Sequence, residues 1–126
     1  MEKLLKMPET KTDLKTRSYR FALEIVKFID CLDKNDFNVQ VLVRQVLRSA
    51  TSIGANIIEA VAASSRKDFI NFYLYALKSA NETKFWLNLL FDSGKASSEK
   101  IKPLILETQE LANILGASII TLKNKK

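Results

Sequence analysis

Between Val39 and Ala63 the chain carries apolar or small residues at Val39, Val43, Val46, Ala50, Ile53, Ile57 and Ala60, alternating steps of four and three. That is the heptad seam of a long helix packed side by side with others. A second stripe, Leu47, Thr51, Gly54, Ile58 and Val61, runs beside it. Two adjacent stripes predict a bundle helix with more than one neighbour. Gly54 within the pattern costs about 1 kcal/mol relative to alanine. Its presence there, among the small residues Ser52, Ala55 and Ala60, predicts close approach of another backbone.

Similar patterns fill most of the chain. Lys15 to Lys34 reads as a first helix with a seam at Ser18, Ala22, Ile25, Ile29 and Leu32, flanked by Phe21 and Phe28. A polar break at 33–36 follows, and Asn38 can cap the next helix. Ser64 and Ser65 end that second helix, and Ser65-Arg66-Lys67-Asp68 has capping-box spacing with Asp in place of Glu. So short a turn makes the second and third helices an antiparallel hairpin. The third runs from about Arg66 to Ser93, with Gly94 as its stop. The fourth occupies roughly Ser98 to Leu122, with a seam at Ile101, Leu104, Thr108, Leu111, Leu115, Ser118 and Leu122, flanked by Ile105, Ala112 and Ile119. Proline suits only a first turn, so either Ser98 caps an irregular opening or the regular helix begins at Pro103. Four long helices with short turns give an all-α, up-down-up-down antiparallel four-helix bundle over residues 15–123. Residues 1–14 read as a flexible arm and 124–126 as a basic tail.

The third helix is apolar on too many sides. Eight of the nine residues Phe69 to Leu77 are hydrophobic, and nine residues at about 100° each point in every direction around the axis. The excess returns at Phe85-Trp86-Leu87 and Leu89-Leu90-Phe91. A second copy of the chain, a different protein or apolar ligand, or ordinary exposed aromatics are the three ways to account for the outer face. A second copy is the expectation, with Phe69, Phe72, Tyr73, Tyr75, Phe85 and Trp86 as interface candidates.

The 126 residues are 47% hydrophobic, enough for one domain with a real core. A net charge of +6 is compatible with nucleic acid or an anionic surface and establishes neither. Lys15, Arg17 and Arg20 mark the start of the first helix, Arg44 and Arg48 share a face of the second, and Arg66 and Lys67 sit at the hairpin tip. Singly these are solubility charges. Repeated around the axis of an oligomer they become a surface for RNA phosphates.

Catalysis finds little material. With no histidine, the Glu-x-x-His di-metal pattern of bundles is impossible. The single Cys31 falls in the pattern of the first helix, lacks a histidine partner and has no second cysteine to bridge to. Ser52, Asn56, Glu59 and Glu82 form a polar seam, the only material for a small-molecule site, and Glu82 is placed to face Arg44 or Arg48. The expectation is a non-enzyme with no metal and no cofactor. No run of 18 apolar residues occurs and MEKLLKMPETK lacks a signal-peptide core, so the expected location is cytoplasmic, with no membrane partner.

SYRFALEIVKFI, QVLRSATSIGANIIEA and SSRKDFINFYLYALKSANETKFWLNLLFDSG, in that order, resemble the bacterial four-helix bundle proteins also called 23S rRNA intervening-sequence proteins. The likeness covers about residues 17–123; Gly94-Lys95-Ala96 departs from the Gly-Tyr-Ile common in that family. The resemblance implies a homo-oligomer, a ring of five bundles in known relatives, and carries over no catalytic residues. A distant relative of similar shape engages RNA and a reverse transcriptase. Together the expectations are a homo-oligomeric, non-enzymatic RNA-binding accessory protein or, as the alternative, a scaffold for a partner protein with no nucleic-acid role.

Overall fold

The computed structural model describes residues 13–125, which form four helices and no strand. They are α1 (Leu14–Asp30), α2 (Phe37–Val61), α3 (Arg66–Asp92) and α4 (Ser98–Lys123). Each helix packs on its two neighbours and none packs across the diagonal, which gives the four-helix bundle. The α1–α4 contact is the slightest.

All four helices start the same way. Asp13, Asp36, Ser65 and Ser97 hold extended backbone and accept the amide N–H three residues on, from Thr16, Val39, Asp68 and Lys100. Each side chain thereby satisfies one orphan donor of a first turn. The cap of α2 is thus Asp36 rather than Asn38. Its carboxylate accepts from Val39 N at 3.1 Å and from Lys95 Nζ at 2.7 Å, so it also ties the first connection to the third. The cap of α4 is Ser97, and the helix runs regularly from Ser98 through Pro103, whose missing N–H has no bond to return to the Glu99 carbonyl. At the other end of α1, Lys34 folds back and donates to the carbonyls of Ile29, Asp30 and Leu32 at 2.8–3.1 Å. The helix accordingly stops at Asp30, and Cys31 is its exposed C-cap. Gly94, at φ 75°, closes α3 in the left-handed conformation that glycine adopts without strain. Of the expected N-terminal arm, Asp13 and Leu14 open α1 and the rest lies outside the described residues, as does Lys126 of the tail.

Every residue of the α2 seam is buried. From Val46 to Ala60 it meets Phe21, Ile25 and Phe28 of α1, Tyr73, Ala76, Ala80, Leu87 and Leu90 of α3, and the Ile101–Ile119 row of α4 in one core. Two seams differ in rotation from the expected ones. In α1 the large rings of Phe21 and Phe28 take the centre and Ala22 and Ile29 become half-buried, because burying the larger apolar surface gains more. In α4 the buried row drifts from Ser118 and Leu122 to Ile119, as 3.6 residues per turn drifts from a seven-residue repeat.

The second stripe of α2 meets a neighbour only at Gly54. A β-carbon there would lie 3.2 Å from Ser18 Oγ, so α1 crosses α2 on this glycine. Leu47, Thr51, Ile58 and Val61 are exposed. For Ile58 and Val61 the reason is length, whereas Leu47 and Thr51 lie within the span of α1 and stay exposed beside it. α1 has 17 residues against 25 in α2, and antiparallel pairing about Ser18 and Gly54 sets Ile58 and Val61 opposite its first turn or beyond.

Candidate interaction surfaces

The aromatic excess of α3 divides into three fates. Tyr73 is the interface candidate that turns inward: it is 9% exposed, its ring packs on Phe69 at 4.6 Å, and burial pushes its hydroxyl pKa up. Phe69, Phe72 and Trp86 are half-buried against the core from its rim. Tyr75 and Phe85 stand out at 51% and 59% exposure, with Leu89 one turn further along. Edge-to-face contacts, Phe72 with Tyr75 at 6.1 Å and Phe85 with Trp86 at 4.9 Å, hold the outer rings against the rim.

Two residues missed by the sequence reading extend this band onto α2. Phe37 and Val41 are exposed and, with Leu42 and Leu89, line an apolar groove of about 300 Å³ between the start of α2 and the end of α3. Their signal was an i,i+4 apolar pair lying off the seam, easily read as helix-end filler.

Midway along the band the two helices are joined by charge. Arg48 pairs with Glu82, as the antiparallel register requires, and Trp86 Nε1–H donates to the same carboxylate oxygen at 3.0 Å. The indole N–H is the main cause holding the Glu82 carboxyl below the usual range; partial burial opposes it and Arg48 adds to it. Beneath lies a buried hydroxyl pair, with Thr83 Oγ1 2.9 Å from Ser49 Oγ. The polar seam does not converge. Asn56 donates within α2 to the Ser52 carbonyl at 2.9 Å, Glu59 points to solvent, and Glu82 is engaged with Arg48 and Trp86. That dispersion leaves these four residues without a shared polar cleft of the kind a small substrate needs.

The seven candidate cations also divide. Arg17 makes a two-pronged ion pair with Glu107 of α4, at 2.7 and 2.8 Å, across a groove of about 460 Å³ that Arg20 and Glu24 also line. Arg48 is committed to Glu82. Arg44 and Lys67 are exposed and Lys15 is half-buried. Arg66 donates to the Lys125 carbonyl at 2.7 Å, a contact that orients the guanidinium, and among the described residues it is in no ion pair. Among the described residues, no group of His, Cys, Asp or Glu is placed to hold a metal ion, and no helix is long and apolar enough to cross a membrane.

Comparison with known proteins agrees with this architecture. The family model described as 23S rRNA-intervening sequence protein matches residues 10–117. Among solved structures, the chain is similar to a protein with unknown function from the S23 ribosomal protein family of Bacteroides thetaiotaomicron VPI-5482. The TM-score is 0.78 and the identity 40%, over 85% of this chain and 98% of that one. Among curated proteins none matches. A model match over most of the length, and a structural relative of this identity and coverage, place the chain in the 23S rRNA-intervening sequence protein family.

Proposed function

We propose that this chain is a non-catalytic, self-assembling helical bundle whose copies join through the outer face of the α2–α3 hairpin and present basic groups to nucleic-acid phosphates. The observation that carries the reading is the apolar band Phe37, Val41, Leu89, Phe85 and Tyr75, exposed along one face of one hairpin. Phe37, Val41 and Leu89 line one groove, with Phe85 one helical turn from Leu89, and clustered apolar surface of this kind marks an interaction site, whereas scattered single residues need no partner. A two-fold contact would set this band against its own copy and close a dimer, whereas a ring sets it against a different face of the next copy, head to tail. Five copies is the number that family resemblance suggests.

Sedimentation velocity over a range of concentrations tests the assembly. The wild type should run as a multi-copy species, and Phe85→Glu with Val41→Glu as single copies of unchanged helicity. Single copies of the wild type at high concentration would sink the reading. Gel-shift with RNA tests the phosphate half: retention at about 50 mM salt should fall steeply by about 200 mM.

One observation favours the scaffold alternative. Arg17 and Arg48 already have carboxylate partners inside the chain, which reduces the charge left for RNA. A stoichiometric protein partner that stays bound after nuclease treatment, together with no RNA retention at low salt, would establish that alternative.

A further inference from the structure

At one end of the bundle four cations gather, with Asp68 in the same first turn of α3 and Asp13 capping α1. Antiparallel packing brings the first turn of α3, with Arg66 and Lys67, beside the last turn of α4, with Lys123 and then Lys125. Among the described residues none of these four is in an ion pair, in contrast to Arg17 and Arg48. The Arg66–Lys125 carbonyl bond draws the two chain segments together and fixes where one of the charges sits.

Between these turns lies an open groove of about 390 Å³. Its cationic members are Arg66, Lys67 and Lys123, and the rest of its lining is aliphatic, Ile70, Leu74 and Leu122, apart from the exposed amide of Asn71. Asp68, the acidic residue of the first turn of α3, does not line it. A groove of this size is within the range that accepts a small ligand. A wholly apolar guest would strip water from three cations without replacing it. A bare inorganic anion would leave the aliphatic surface unused. The lining therefore matches a ligand that is anionic at one end and flat and apolar at the other, with an edge for an amide to read.

We propose that this groove is a nucleotide subsite, taking one phosphate among Arg66, Lys67 and Lys123 and the base against Ile70, Leu74 and Leu122, with Asn71 at the base edge. The proposal deepens the phosphate-contact half of the function proposed above and rests on it. The shared chemistry is a nucleoside monophosphate unit, supplied either as a free mononucleotide or as the 5′-phosphorylated end of an RNA strand.

The test is an amide NMR titration of the full chain at about 50 mM salt with AMP, with a 5′-phosphorylated RNA oligonucleotide, with the same strand lacking the phosphate, and with inorganic phosphate. Shifts confined to the amides of Lys67, Asn71, Leu122 and Lys123, with AMP or the phosphorylated strand bound more tightly than inorganic phosphate, are expected. AMP bound more tightly than the phosphorylated strand identifies the free nucleotide as the ligand; the phosphorylated strand bound more tightly than AMP, with loss when its phosphate is removed, identifies the strand end. Lys67→Glu with Lys123→Glu should weaken binding at least tenfold, while the charge-matched control Lys27→Glu with Lys102→Glu, at exposed positions toward the other end of the bundle, changes it less than twofold. Asn71→Ala, at an exposed position, should weaken AMP several-fold and leave inorganic phosphate unchanged. The site is overturned by shifts spread over lysines elsewhere, by equal binding of AMP and phosphate, by an acidic peptide that outcompetes AMP at these amides, or by equal loss in the control. If RNA retention survives Lys67→Glu with Lys123→Glu and AMP moves no groove amide, this site fails while the broader reading stands. If AMP binds in the groove while long RNA is not retained, the broader reading fails.

Discussion

The inner seam of α2 and the outer stripe of α3 repeat at the same three-and-four spacing, and the fold treats them oppositely. Val39 to Ala60 of the seam are all buried. Tyr75, Phe85 and Leu89, on one stripe of α3 with Lys78 and Glu82, all stand in water. What separates them is the partner and not the pattern. The seam faces Ala76 and Ala80 of α3 and is itself interrupted by Ala50 and Ala60, small residues that let helices close on one another. The outer band runs along the outer edge of the α2–α3 contact, where Glu82 reaches Arg48 and Leu89 shares a groove with Val41, and among the described residues no helix covers it. Periodicity counts the apolar faces of a helix, and topology decides which of them the chain can cover by itself.

The largest effect that separates the two regions is a truncation in each. Ile53→Ala, at a fully buried seam position, should cost about 2–5 kcal/mol of stability in urea unfolding. Phe85→Ala removes a larger side chain, yet in dilute protein it should stay within about 0.5 kcal/mol of wild type. Its effect should instead appear as a shift toward smaller species at high concentration. Equal losses of stability for the two variants would erase the distinction between the faces.

That distinction also marks how far the sequence could be read. The α2 seam, the Ser65 cap of α3 and the Arg48–Glu82 pair follow from spacing and antiparallel register, both of which are local or nearly so. The second stripe of α2 does not: Ile58 and Val61 would need a longer α1, and Leu47 and Thr51 stay exposed within its span. Asp36 displaced Asn38 as the cap because Lys95, fifty-nine residues away, holds the same carboxylate. Phe21 and Phe28 displaced Ala22 and Ile29 because size, which a binary pattern ignores, sets the rotation of a helix. Of the candidate site, the exposure of Tyr75 and Phe85 was legible as excess. The inward turn of Tyr73 and the pairing of Arg17 with Glu107 were not, since both require knowing how α1, α3 and α4 cross.

A sharper probe of the seam lies at the α1–α2 crossing. A valine at Gly54 must displace Ser18, whose hydroxyl is held by the Lys15 carbonyl at 3.0 Å. Gly54→Val should therefore cost about 1–3 kcal/mol. Gly54→Ala sets a gain in helix propensity against the same contact, and adding Ser18→Ala should relieve it, so the double variant should exceed the sum of the singles. Additivity in that cycle would mean that the crossing does not depend on the glycine. Somewhat smaller is the cap: Ser65→Ala leaves the Asp68 N–H without its acceptor and should cost about 1 kcal/mol by thermal unfolding.

Acid should act on the two regions by the same mechanism and with the smallest effect. The folded chain holds Asp13 below its ordinary value through the Thr16 N–H, Asp36 through Lys95 and then the Val39 N–H, and Glu82 through the Trp86 indole and then Arg48. A carboxyl depressed in the folded state binds its proton more readily when unfolded. Its contribution is therefore complete above the ordinary carboxyl values of 3.8 and 4.5 and is lost as pH falls through the depressed ones. All three groups are partly solvated, so salt should blunt the effect. The melting temperature should hold from pH 7 to about 5 and decline below about 4. Glu82→Gln isolates the outer band. It should flatten part of that decline, and because Trp86 is the sole tryptophan and bonds Glu82 directly, its emission should lose its acid titration in the variant. If the band is covered by a second copy, the same titration should be accompanied by dissociation in the wild type. An emission change without dissociation would show that the Arg48–Glu82–Trp86 cluster fixes the register of the hairpin and takes no part in joining copies.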